Sequence, residues 1–205
     1  MVDELLQTIP RLWCGNRMPA AGMHALPTGF AELDRELPGG GWPTGAIVEL
    51  LIGTAGIGEL RVLLPALRRL ILSGDRVLFI DPPYLPNAVA LRQADIDPEN
   101  LLLLRPPGAR EALWAAEQAL RNPACGAVLL WPRVAGRVIG DRETRRLQAA
   151  AAEGQSILFL HRVGVKQASR WATLRLELLP AAGQLEISVL KAVGTHRRPR
   201  VRVNL

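Results

Sequence analysis

The sequence predicts an α/β fold, with a mostly parallel central sheet flanked by helices and an antiparallel meander at its C-terminal end. Three observations predict it. Short apolar runs alternate with helix-length amphipathic segments between residues 46 and 161. The first run closes on glycine, as a buried strand does when it enters a turn. After residue 170 the pattern changes to alternating apolar and polar residues, which marks half-exposed antiparallel strands. At 205 residues, 49% of them hydrophobic, the chain suits one domain with a substantial core and a terminal appendage.

The elements follow in order. Residues 1–25 form an N-terminal arm, in which Leu5, Leu6, Ile9, Leu12 and Trp13 space as a small amphipathic helix broken or bent at Pro10. The arm either docks on a partner or caps the core locally, and Trp13 is either an interface anchor or a packing residue. "AIVELLI" (46–52) reads as a buried strand, and "GELRVLLPALRRLILSG" (58–74) as a helix that Pro65 must kink unless its turn is irregular. "RVLFID" (76–81), "LLLLR" (101–105), "CGAVLLW" (125–131) and "SILFLH" (156–161) are the next strands. Helices "PNAVALRQADI", "AREALWAAEQALR" and "DRETRRLQAAAAEG" lie between them. "WATLRLELLP", "GQLEISVLK" and "RVRVN" complete the meander. Apart from four alanines at 149–152, no repeat or low-complexity block occurs.

Composition excludes several classes. The longest apolar runs fall far short of the ~20 residues of a spanning helix. Asp3 and Glu4 stand where a signal or transit peptide would be basic, so a cytoplasmic protein without membrane partners is expected. Cys14 and Cys125 lack CxxC spacing, and His24, His161 and His196 are scattered, so no metal site and no disulfide framework are expected. The net charge of +6 is carried by arginine, since Lys166 and Lys191 are the only lysines. A basic balance favours nucleic acid or an acidic protein face.

The stretch "ELLIGTAGIGELRV" (49–62) has the spacing of a phosphate-binding loop. Gly53 and Gly58 enclose four residues, but Glu59 and Leu60 stand where G-x-x-x-x-G-K-[ST] requires lysine and a hydroxyl. Lysine meets the β- and γ-phosphates and the hydroxyl binds magnesium. A carboxylate there turns attraction into repulsion. Two unit charges ~4 Å apart at an effective dielectric near 20 interact by about 4 kcal/mol, and the reversal roughly doubles that difference. Loop geometry can survive such a change; triphosphate binding cannot.

"LPTGFAELDRELPGGGWPTGAIVELLIGTAGIGE" (26–59) resembles the N-terminal signature of the RecA/KaiC-like ATPase core, and the resemblance runs through residue 205. It implies a RecA-like core at 26–190 lacking ATPase residues, followed by a basic tail or edge strand at 191–205. Under that resemblance the loop lysine and hydroxyl correspond to Glu59 and Leu60. The water-activating glutamate corresponds to Pro83 and the magnesium-organising aspartate to Trp131. The nucleotide-sensing glutamine falls near His161–Arg162, and one late lysine that reaches a neighbour's nucleotide survives as Lys191. No catalytic residue, cofactor or metal is therefore expected.

The segment "LPTGFAELDRELPGGGWPTGAIVELLIGTAGIGELRVLLPAL" (26–67) is similar to the ImuA family of SOS-mutagenesis accessory proteins, "GIGEL" included. This resemblance implies a non-catalytic adaptor in error-prone translesion DNA synthesis. Its partners would be an ImuB-type inactive polymerase relative, an error-prone DnaE-type polymerase and RecA, with single-stranded DNA and self-association as further options. The alternative is a SulA-type cell-division inhibitor that binds FtsZ.

Two basic surfaces are candidates for binding. Lys191, Arg197, Arg198, Arg200 and Arg202 form a C-terminal stretch without acidic residues, which either grips phosphates or carboxylates or is an edge hairpin with solvated arginines. Arg137, Arg142, Arg145 and Arg146 interleave with Asp141 and Glu143 and read as a solvated helix. Trp42, Trp114, Trp131 and Trp171 are assigned to the core, with Trp131 filling the place of the missing magnesium.

Overall fold

In a computed structural model, residues 24–132, 139–164 and 169–205 are described. Trp13, Arg137, Lys166 and nearly all of the N-terminal arm lie outside them. Eight strands form one sheet in the order β10-β9-β8-β3-β7-β6-β4-β5. In chain order these are β3 (Ala46–Ile52), β4 (Arg76–Ile80), β5 (Leu101–Leu104), β6 (Cys125–Leu130), β7 (Ile157–Val163), β8 (Leu174–Ala181), β9 (Gln184–Ala192) and β10 (Arg200–Asn204). From β8 across to β5 every pairing is parallel, and β9 and β10 add antiparallel. The α/β architecture with a C-terminal meander is thus the observed one. A small ribbon, β1 (Ala25–Leu26) with β2 (Trp42–Pro43), precedes it. Among the described residues no helix is long and apolar enough to cross a membrane.

Period-two alternation along each strand sorts its side chains onto two faces. Val48, Leu50 and Ile52 of β3, with Phe79, Leu129 and Phe159, meet helices α1 (Ala31–Asp34), α2 (Leu64–Leu72) and α3 (Ala88–Gln93) through Leu33, Leu67 and Leu91. Ile47, Val128, Leu130, Leu158 and Leu160 face the other way. There they pack on α4 (Ala109–Arg121) and α5 (Asp141–Gly154) through Ala112, Ala116, Leu120, Leu147 and Ala151. Both faces are covered, as a parallel sheet requires.

The glycines of the entry segment have steric reasons. A Cβ on Gly29, whose φ is +94°, would stand 2.4 Å from Pro65 Cβ, and one on Gly41 would stand 2.2 Å from the Leu26 carbonyl oxygen. Just before Gly29, Thr28 N–H donates to Asp34 Oδ1 at 2.8 Å, which fastens the turn to α1. The spacing of "LPTGFAELD" is therefore a packing requirement, independent of any ligand.

The helix expected over 58–74 is shorter. Residues 59–63 form turns, with Leu63 N–H on the Leu60 carbonyl at 2.9 Å, and α2 begins only at Leu64. Pro65 explains the shift: it has no N–H to give and its fixed φ suits the first helical turn, so the helix starts there and is not kinked. β7 runs two residues further than expected, through Val163, because it pairs with β3 along the full length of that strand.

Candidate functional site

The candidate site lies at the carboxyl ends of β3, β4 and β6, where open parallel sheets place their ligands. Gly53–Gly58 follow β3 directly, as expected. Regular helix begins only at Leu64, and the turns before it already carry helical bonds, from Val62 N–H to the Gly58 carbonyl at 3.3 Å and from Leu64 N–H to the Leu60 carbonyl at 3.1 Å.

Glu59 does not project toward a ligand. Its side chain is buried and turns back into the loop, where Gly56 N–H donates to both carboxylate oxygens, at 2.9 and 3.1 Å. A loop amide that a phosphate could have used is thereby taken by the protein's own anion. Leu60 packs against the hydrophobic core. Gly58, with φ of +103°, gives way to Leu205: a Cβ there would stand 2.3 Å from Leu205 Cδ1. The loop is thus filled by a carboxylate on one side and backed by a leucine on the other.

Beside it lies a cavity of about 270 Å³, walled largely by Phe79, Pro82, Pro83, Tyr84 and Trp131. Arg61 is its only lining cation among the described residues. Trp131 is nearly fully buried. Its ring stacks on His161, with centroids 4.0 Å apart and planes at 16°, and tilts against Phe79 at 5.7 Å. Trp131 and Pro83 therefore supply apolar wall to this cavity. His161 is completely enclosed: its ring nitrogens lie near the Leu130 and Phe159 carbonyls without hydrogen-bond geometry, and burial drives its pKa down to about 3. A neutral imidazole results at physiological pH.

Arg162 points to the opposite face of the sheet and joins a buried ion network that sequence reasoning missed. Glu49, in the middle of β3, has no exposed surface. Its Oε1 accepts from Arg162 Nε at 2.8 Å and from Ser169 N–H at 3.3 Å, and its Oε2 accepts from Arg175 Nε at 2.8 Å. Arg162 Nη2 lies 2.8 Å from the same carboxylate, off the angle of a hydrogen bond. Arg175 also donates to the Ser169 carbonyl. The signal available in the sequence was a single acidic residue inside an apolar strand. Only the register of β3 between β7 and β8 shows that arginines flank it on both sides.

The basic C-terminal residues are not one cluster of free cations. Lys191 Nζ donates to the Arg170 carbonyl at 2.6 Å. Partial burial lowers its pKa, with repulsion from Arg175 adding to the effect and Glu49 opposing it. Arg197 pairs with Glu36 and Arg202 with Glu186, both at 3.1 Å. Arg198 donates to the Arg197 carbonyl at 3.0 Å, and Arg200 is exposed on β10 without a carboxylate partner among the described residues.

Two of the four tryptophans assigned to the core are not in it. Trp42 is fully buried, edge-on to Phe159 at 5.4 Å. Trp171 is partly exposed with Arg145 over its ring at 5.1 Å, and Trp114 is 63% exposed. For Trp114 the reason is helical phase: Ala112, Ala116 and Leu120 form the buried stripe of α4, and residue 114 falls on the opposite, solvent side of the helix.

Comparison with known proteins relates this chain to RecA. It is 28% identical to the RecA protein of Brucella anthropi over 116 residues, 57% of this chain and 32% of that protein. It is 31% identical to the RecA of Bacillus subtilis (strain 168) over 105 residues, 51% of this chain and 30% of that protein. Against the RecA of Leptospira meyeri the identity is 29% over 123 residues, 60% of this chain and 31% of that protein. The chain thus spans about a third of the length of these curated relatives. No family model matches it.

Proposed function

We propose that this RecA-related chain is a non-catalytic adaptor of the ImuA type. In this reading it serves SOS-induced error-prone translesion DNA synthesis. It links an ImuB-type inactive polymerase and an error-prone DnaE-type polymerase to RecA or damaged DNA. The observation that carries the reading is the state of the former phosphate loop: Glu59 fills it with an internal carboxylate held by Gly56 N–H. Around it, Leu60, Pro83 and Trp131 line the cavity with hydrocarbon, at positions that the resemblance to RecA matches to a hydroxyl and two carboxylates. In this reading what the scaffold offers is surface for partners. The similarity to RecA supports a task in DNA damage, and the "GIGEL" segment supports the narrower ImuA assignment.

The test has two parts. Titration calorimetry with Mg-ATP and a phosphate-release assay, with and without single-stranded DNA, should give no saturable heat and no release above background. Micromolar binding, or turnover that disappears on Lys191→Ala, would overturn the non-catalytic reading. Co-purification should recover the ImuB-type protein and RecA; recovery of FtsZ instead, with filamentous cells on overexpression, would replace the adaptor by a division inhibitor. Reversing Arg198 and Arg200 to glutamate should weaken any salt-dependent DNA or partner binding at that edge.

A further inference from the structure

The two ends of the sheet are finished differently. At one end β10 exposes Arg200, Arg202 and Asn204 and buries Val201 and Val203 between them, and charged side chains of this kind keep other chains from adding to an edge. At the other end β5 is four leucines, of which Leu102, Leu103 and Leu104 are 52%, 42% and 38% exposed. Among the described residues no strand pairs with its outer side. Asp81 N–H donates to the Leu104 carbonyl at 2.9 Å, so Leu104 and, by alternation, Leu102 turn their backbone groups toward β4. The N–H and carbonyl of Leu103 and the carbonyl of Leu101 therefore face outward, while Leu101 N–H is bonded to the Pro98 carbonyl. An apolar edge with free backbone groups is a template for another strand.

The charges at the two ends of β5 say which strand fits. Asp97 and Glu99 stand exposed just before the strand. Arg76 of β4 shares that end and donates to Asn100 Oδ1 at 3.0 Å. Arg105 follows Leu104 at the other end and is exposed, while Asp81 beside it is buried. Neither Glu99 nor Arg105 has an ion-pair partner among the described residues. The edge thus begins negative and ends positive. A second copy laid antiparallel along it brings each Glu99 to Arg105 of the other copy. A parallel approach would set like charges against each other at both ends.

We infer that β5 is a dimerisation edge, which pairs antiparallel with β5 of a second copy of this chain about a two-fold axis near Leu102 and Leu103. The two sheets become one. Leu103 N–H and its carbonyl supply hydrogen bonds at the centre, the leucines pack across the join, and the Glu99–Arg105 contact at each end fixes the direction. The edge is only four residues long, so the dimer is weak and forms with rising concentration. The inference does not rest on the adaptor reading or on the loss of nucleotide chemistry, and its test is independent of both.

Sedimentation velocity of the full chain, in a dilution series reaching about 0.5 mM, tests it. A reversible monomer–dimer equilibrium is expected. Leu103→Pro removes a donor that faces away from the rest of the sheet, so circular dichroism should show the fold kept while the dimer weakens at least tenfold. Glu99→Arg and Arg105→Glu alone should each weaken it about tenfold, because like charges then meet at both ends. Mixed in equal amounts, these two variants should form a heterodimer as tight as the parent dimer, since every end contact again joins opposite signs. The charge variants decide the matter if Leu103→Pro does not fold. A chain that stays monomeric throughout the series overturns the proposal. So does a dimer that Leu103→Pro leaves unchanged, or a failure of the two charge variants to associate when mixed. A dimer lost in Leu5→Asp with Leu6→Asp but kept in Leu103→Pro gives the contact to the N-terminal segment and equally excludes pairing through β5.

Discussion

The indole of Trp131 lies flat on the imidazole of His161, 4.0 Å between ring centroids, at the carboxyl end of two adjacent parallel strands. The stack is buried, and that makes the imidazole's charge state a stability matter.

Burial lowers the His161 pKa to about 3 from the ordinary 6.5, so the folded state holds this imidazole neutral. The unfolded chain binds the proton first as pH falls. Stability is fully present above about pH 6.5 and is lost progressively below it, down toward pH 3. At pH 5 the loss relative to pH 7 is about 2 kcal/mol from this residue. Urea melts at the two pH values check it. His161→Phe, which keeps a ring against Trp131, should show a loss smaller by about that amount.

Glu49 anchors two arginines inside the sheet. Glu49→Gln keeps the shape but leaves Arg162 charged and buried without its counter-ion, which costs about 3–5 kcal/mol. Chemical denaturation should report that loss. Replacing Glu49, Arg162 and Arg175 together by apolar residues of similar volume should recover much of it. If the single Gln variant is as stable as the parent, the network is not what holds β3 between β7 and β8.

Glu59→Lys restores one feature of the phosphate loop and none of the others. ATP hydrolysis should stay at background, because Leu60, Pro83 and Trp131 are unchanged. The variant should also be less stable by about 1 kcal/mol, since Gly56 N–H loses its acceptor. Glu59→Gln, which keeps a carbonyl oxygen in reach, should lose less. Thermal melts and a phosphate-release assay check both statements.

The tryptophans separate packing from surface. Trp131→Ala opens the wall shared with Phe79 and His161 and should cost about 3–5 kcal/mol. Trp114→Ala removes an exposed ring and should change stability by less than about 0.5 kcal/mol. Equal effects in a denaturant titration would contradict the burial pattern.

Alternating apolar runs and amphipathic segments were enough to place five of the sheet's eight strands in order, apolar–polar alternation placed the other three, and glycine spacing located the loop between Ile52 and the first long helix. Both signals are local: period-two and period-3.6 patterns, and turn residues, are written in neighbouring positions. The departure of Glu59 and Leu60 from G-x-x-x-x-G-K-[ST] was also legible, because it needs only residue identity at known offsets.

Tertiary structure alone decided the rest. That Glu59 bends back onto Gly56, three residues earlier, depends on the turn conformation of residues 55–60. That Glu49 is neutralised by Arg162 and Arg175 depends on the register of residues separated by more than a hundred positions. That Trp114 is exposed while Trp131 is buried depends on which flank of a helix the sheet leaves uncovered. Residue type determines what a side chain can do; strand order and helix phase determine what it meets. The distant pairings carry no periodic trace in the sequence, so the chemistry of the loop could be read from it, while its internal ligand and the open edge of the sheet could not.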